Sequence, residues 1–294
     1  MKLDDYRTSD NVGDQRGQSF GGGFGGGGFG MLLGLVGSRF GIGGIIVLVI
    51  GAMLLGFNPL GGGGGGVVAP HTATGGNSAA EACAVDPESR FSCQVLASTE
   101  DSWTQIFSAS GQRYQPAGLV FYGGLGQSGC GAAQSAMGPF YCPTDNRIYL
   151  DTSFFTELND RFGAAGDFAQ AYVIAHEVGH HIQALTGRLE AARAQQARLP
   201  AAQGNAVQVR VELQADCYAG VWAAQNRGRL EPGDVEEGMR AANAIGDDTL
   251  QKAVQGRVVP EGFTHGTSAQ RVKWLRKGME TGDPAACETA TGAI

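Results

Sequence analysis

The stretch at residues 40–57, "FGIGGIIVLVIGAMLLGF", limits this chain more than any other feature, because it is uncharged, nearly all apolar and walled off by glycine. At 1.5 Å per residue, a helix of that length crosses a hydrocarbon core of about 30 Å with little tilt. "FGGGFGGGGFG" at 20–30 and the unbroken run 61–66 contribute to the 49 glycines among 294 residues. Such runs bury little apolar surface and lose much entropy when ordered, so they read as spacers. The phenylalanines of the first run leave a second reading open, contacts for a partner of unknown identity. The expected organisation is a Gly-rich cytoplasmic tail at 1–39, a single transmembrane signal anchor at 40–60, a flexible linker at 61–82 and one folded domain at 83–294.

A cleaved signal peptide is the competing reading of the apolar stretch. The long polar segment before it and the lack of a convincing small-x-small site before Gly61 favour the anchor. Lys2, Arg7, Arg16 and Arg39 precede the stretch and no Lys or Arg occurs from 58 to 89, so the N-terminus is expected in the cytoplasm and the domain outside it. All six cysteines follow the stretch, an even number suited to disulfides in an oxidising compartment. No Cys-x-x-Cys pair supports a cysteine metal site. A net charge of −7, with no basic cluster interleaved with aromatics, argues against nucleic acid as a partner.

The chemistry of the domain is concentrated in "AYVIAHEVGHHIQALTG", residues 171–187. Phe168, Tyr172, Ala175, Val178, Ile182 and Leu185 recur at helical spacing, and Gly187 supplies a stop. His176 and His180 stand one turn apart on one face of that helix, with Glu177 beside them: two neutral imidazoles for one zinc and a carboxylate for its water. Gly179 costs the helix about 1 kcal/mol relative to alanine, which points to close packing or function. His181 faces elsewhere and reads as a solvated or outlying histidine.

A catalytic zinc with two histidines lacks one protein ligand. "VRVELQADCYAG" at 209–220 offers Glu212 as that ligand, with Asp216 a turn further on to accept the other ring N–H of a ligand histidine. The bland alternative is a solvated stripe formed with Gln208 and Arg210. Asp167 and Glu190 are weaker rivals, too near the first helix in sequence to fold back over the metal. His265, just before a helix capped by Thr267 or Ser268, is a candidate donor to a developing oxyanion, against a reading as a capping-loop residue partnered by Arg271. His71 lies in the linker and receives no role, and Trp103, Trp222 and Trp274 read as core aromatics.

Strand-like runs at 117–124 and 147–151, then helices near 154–162, 167–186, 188–198, 206–226, 232–244 and 268–279, make the domain α+β with helices dominant around a small sheet. "GPFYCPTDNRIYLD" at 138–151 could lay an edge strand along a cleft for an extended substrate, or pair internally. Cys83 with Cys93 and Cys130 with Cys142 close short loops, which leaves Cys217 with Cys287, a tie worth about 4 kcal/mol by chain entropy. Six cysteines permit 15 connectivities, and a buried free thiol at Cys217 remains open.

His-Glu-x-x-His followed by a Glu-x-x-x-Asp helix is similar to the gluzincin group of zinc peptidases. More closely, "NVGDQRG", the glycine-rich tail and single apolar stretch, "YCPTDNRIYLD", "HEVGHHIQ", "ELQADCYAG" and "FTHGTSAQRVKW" together resemble the bacterial "putative neutral zinc metallopeptidase" family over nearly the whole chain. That resemblance implies one Zn²⁺ held by His176, His180 and Glu212, Glu177 as general base and Asp216 behind the ligands. The expected activity is a membrane-anchored endopeptidase acting on a peptide or protein. Alternatives are a catalytically silent zinc-containing envelope scaffold that binds a partner, and a regulator whose cytoplasmic tail is the active part. Glu177 weighs against the scaffold, since a structural zinc site needs four protein ligands and no base.

Overall fold

Residues 1–18, 78–292 and 294 are described by the computed structural model. The expected span at 40–60, both glycine runs and His71 lie outside the described residues. Among the described residues, no helix is long and apolar enough to cross a membrane. The elements run β1 (Val12–Asp14), α1 (Ala79–Cys83), α2 (Pro87–Ala109), β2 (Gly118–Phe121), β3 (Leu125–Ser128), β4 (Gly131–Gln134), β5 (Phe140–Cys142) and β6 (Arg147–Leu150). Then follow α3 (Ser153–Phe162), α4 (Asp167–Leu185), α5 (Arg188–Gln196), α6 (Ala201–Gln225), α7 (Asp234–Ala244), α8 (Asp247–Gln255) and α9 (Ser268–Thr281). The helix-dominated α+β class matches the sequence expectation.

The sheet has the order β1-β2-β6-β5, with β1 and β6 parallel to β2 and β5 antiparallel to β6. Strand alternation divides its side chains: Leu119, Phe121, Ile148 and Leu150 join the main core, whereas Val120, Tyr122, Cys142 and Tyr149 form a second cluster on the opposite face. β3 and β4 make a separate antiparallel hairpin.

The helices pack so closely that glycine is required at their crossings. A Cβ on Gly179 of α4 would lie 2.9 Å from both Cα and the carbonyl oxygen of Ala215 in α6. A Cβ on Gly278 of α9 would collide with the Cys217 carbonyl of α6, and one on Gly220 with the Leu275 carbonyl of α9. The expected close packing at Gly179 is therefore the crossing of the two helices that carry the candidate ligands. Trp103, Trp222 and Trp274 are buried, as expected of core aromatics. The three expected disulfides are all present, Cys83–Cys93, Cys130–Cys142 and Cys217–Cys287, so Cys217 is not a free thiol.

Three features depart from the sequence reading. The 23-residue α2 lies where no helix was expected, because its buried face is largely polar: Ser92, Ser98, Thr99 and Ser102 are enclosed, their hydroxyls bonded to carbonyls one turn back. Apolar periodicity does not register such a helix. Second, α8 was not anticipated in a run where only Leu250 among its apolar residues is buried. Third, the opening segment, expected as a tail apart from the domain, supplies β1 to its sheet and buries Met1 and Leu3 in its core. The boundary expected at residue 83 also falls inside α1, which Ser78 opens with a capping box.

Candidate metal centre

The register of α4 buries Phe168, Tyr172, Ala175, Val178 and Ile182 against the core, which turns His176, Glu177 and His180 toward a cleft of about 350 Å³. Gly187, with φ 72°, ends the helix as expected. Across the Gly179–Ala215 crossing, α6 brings Glu212 onto both histidines: its Oε2 lies 3.2 Å from His176 Nε2 and 3.4 Å from His180 Nε2. One donor atom from each of the three residues lies within 4.8 Å of the other two.

The donor set fits a divalent metal because the remaining atoms are already occupied. His176 Nδ1 is 2.8 Å from Asp216 Oδ1 and His180 Nδ1 is 2.9 Å from Gln183 Oε1, so each ring donates at Nδ1 and leaves an Nε2 lone pair facing Glu212. Gln208 donates to the other oxygen of Glu212 at 2.8 Å. Burial opposes a charge on either ring, yet Asp216 and Glu212 raise His176 and, through Glu212, bring His180 to a pKa of about 9. Burial would also raise Glu212, but the neighbouring imidazoles hold it well below the usual carboxylate range. The cluster is thus an anionic field closed around one point, where a cation is favoured.

Asp216 is fully enclosed and stands where a support for His176 was expected. It also takes two hydrogen bonds of 2.9 Å from Arg271 of α9, and one of 2.6 Å from Tyr172. Arg271 is 2 % exposed and further donates to Tyr172 and the Ile245 carbonyl. The pairing of Arg271 with Asp216, rather than with His265, was not read from sequence. The solvated-stripe reading does not hold: Glu212 and Asp216 are buried, and Arg210 reaches instead to the carbonyls of Thr289 and Gly292.

Glu177, 7 % exposed, lines the same cleft. Burial and the charge of Glu212 raise its pKa, while both imidazoles and a hydrogen bond from the Tyr141 backbone draw it down. His265 lines the cleft from the loop before α9, which Thr267 caps. Its ring is 40 % exposed, with Nδ1 3.3 Å from Asp247 Oδ1 and 3.0 Å from Thr264 Oγ1. Asp247, itself 1 % exposed, accepts backbone N–H bonds from Thr264, His265 and Gly266 and so fixes that loop. Sequence reasoning missed Asp247; its only signal was an Asp–Asp pair opening α8.

His181 is neither a ligand nor solvated. It is 1 % exposed, with Tyr141 Oη 3.0 Å from Nδ1 and the Gln115 carbonyl 2.7 Å from Nε2, tying α4 to the sheet. Glu190 is exposed. Asp167 falls into a second carboxylate group with Asp234 and Glu237, where the Met1 ammonium sits 2.6 Å from Asp167 and 3.1 Å from Asp234.

A family model described as "Putative neutral zinc metallopeptidase" matches residues 1–290. The chain is similar to the uncharacterized protein YpfJ of Escherichia coli strain K12, 47 % identical over 293 residues, covering 98 % of each. It is also similar to the uncharacterized protein Rv2575 of Mycobacterium tuberculosis strain H37Rv, 41 % identical over 257 residues, covering 82 % of this chain and 86 % of the relative. No solved structure matches it.

Proposed function

The chain belongs to the putative neutral zinc metallopeptidase family, and from that premise we propose that it is a gluzincin-like endopeptidase using His176, His180 and Glu212 as zinc ligands and Glu177 as general base. One observation carries the reading. Among the described residues, three donor atoms converge without a fourth, and a buried carboxylate that is not among them faces the same cleft. A structural zinc site would close its coordination with four protein ligands and needs no such carboxylate, so the arrangement favours catalysis over a silent scaffold.

Zinc held there supplies Lewis acidity, acidifying water and polarising a carbonyl. The chain's own residues do the rest. Glu177 takes a proton from the attacking water and returns it to the leaving amine, a role suited to a carboxylate whose pKa burial has raised. Asp216, fixed by Arg271, holds His176 with Nδ1 protonated. His265, held by Asp247, presents its partly exposed ring to the cleft as a donor for the oxyanion. β5 is an edge strand, and Phe140 and Tyr141 line the cleft, which suits an extended peptide adding main-chain hydrogen bonds to that edge. Three disulfides support a working compartment outside the cytoplasm, where such bonds persist.

The test is digestion of a proteome-derived peptide library by the purified full-length chain. Cleavage should be abolished by chelator and restored by zinc. Cleavage unaffected by chelator, or none with zinc fully bound, refutes the proposal.

A further inference from the structure

The opening residues and the folded domain are joined too extensively to work in different compartments. β1 lies parallel to β2 with Val12 opposite Leu119 and Asp14 opposite Phe121, extended by Leu119 N–H to the Asn11 carbonyl at 2.8 Å and Gln15 N–H to the Phe121 carbonyl at 2.7 Å. Met1 and Leu3 are 4 % and 1 % exposed within the main core. Glu100 of α2 is 6 % exposed, and its side-chain donors come from the opening segment: Arg7 at 3.0 Å, Ser9 at 2.5 Å and Asn11 at 2.8 Å. Arg16 donates to the Ala82 carbonyl at 2.8 Å and to Ser89 at 2.7 Å, beside the Cys83–Cys93 bridge, and Ser9 N–H bonds the Cys93 carbonyl at 3.2 Å.

We propose that residues 1–17 are an integral part of the folded domain, to which they contribute β1, and lie on the same side of the membrane as it. A single crossing at residues 40–57 separates the two, so the sheet and that crossing are mutually exclusive in one chain. An opening segment donated by a second copy meets the same restriction. Two of the four cations that suggest a cytoplasmic N-terminus have other uses here: Arg7 pairs with Glu100 and Asp101, and Arg16 with Asp14 and Asp86. Ties to Glu100, Asp101 and Asp86 of the domain, with Asp14 beside Arg16, remove these two arginines from the charge count on which that orientation rests. The inference is independent of peptide hydrolysis, and it requires residues 1–17 in any chain used for assay.

The native sequence provides the probe. Lys2 is its only lysine before Lys252, and both are exposed. Intact spheroplasts carrying the full-length chain are treated with a membrane-impermeant amine reagent, before or after lysis, and modification at Lys2 and Lys252 is measured by peptide mapping. The two lysines should respond together, both modified before lysis. Modification of both only after lysis also supports a shared compartment. Modification of Lys252 before lysis with Lys2 protected until lysis overturns the proposal. Single cysteines at the exposed positions Asp4→Cys and Gln112→Cys repeat the comparison with an impermeant maleimide, since all six native cysteines are disulfide-bonded.

Discussion

Replacing Asp216 by Asn removes one charge from the most enclosed ion pair at the candidate metal centre while keeping the side chain's shape. Asp216 and Arg271 are 0 % and 2 % exposed, so the guanidinium left behind has no water to turn to. Breaking a buried pair at one partner costs about 3–5 kcal/mol, and the amide oxygen still accepts one bond, so we expect a loss of about 3 kcal/mol in denaturant unfolding of the metal-free protein. The acid dependence has a definite sign. Burial would raise Asp216, but Arg271 and His176 hold its pKa below the ordinary 3.8, so its contribution is complete above that value and is lost as pH falls through the lowered folded pKa. The difference between wild type and Asp216→Asn should therefore shrink in strong acid. Zinc affinity should fall about 10–100-fold because His176 loses its anionic support. The double variant Asp216→Asn/Arg271→Met separates these effects: it should regain most of the stability, since both charges are gone, but not the zinc affinity. A single variant within about 0.5 kcal/mol of wild type, the range of ordinary surface substitutions, would refute the reasoning.

Three further outcomes are expected. Gly179→Ala should lower stability by about 1 kcal/mol and weaken zinc, because overpacking against Ala215 outweighs the helix-propensity gain; a raised melting temperature would contradict the close crossing. Cys217→Ser with Cys287→Ser should cost about 4 kcal/mol for the 70-residue loop, and an unchanged denaturation midpoint would show the tie to be unimportant. His265→Ala should reduce kcat about 10²–10³-fold with zinc retained, Asp247→Asn acting in the same direction; unchanged kcat in His265→Ala removes it from the reaction.

What the sequence revealed of this site depended on distance along the chain. His176, Glu177 and His180 share one helix, and Glu212 and Asp216 share another, so a helical period places each set on one face and the chemistry of zinc requires them to meet. Arg271 lies 95 residues from His176 and Asp247 lies 18 from His265, with no local pattern linking them to those partners. The fold followed the same division. Apolar periodicity revealed α4, whereas α2 hides its core face behind serines and threonines that satisfy their hydroxyls within the helix. β1 was the least legible element: its three residues, Val-Gly-Asp, become a strand only because β2 offers an edge, and pairing across more than a hundred residues leaves no period to read.

Peptide turnover per bound zinc in Glu177→Gln tests the central claim most directly. With the proposed ligands His176, His180 and Glu212 untouched, the variant should bind one zinc per chain as wild type does, while turnover per zinc drops about 10²–10⁴-fold, the range expected for removing a general base. Turnover per zinc equal to that of wild type would contradict Glu177 as the base and with it the proposed division of labour at this site.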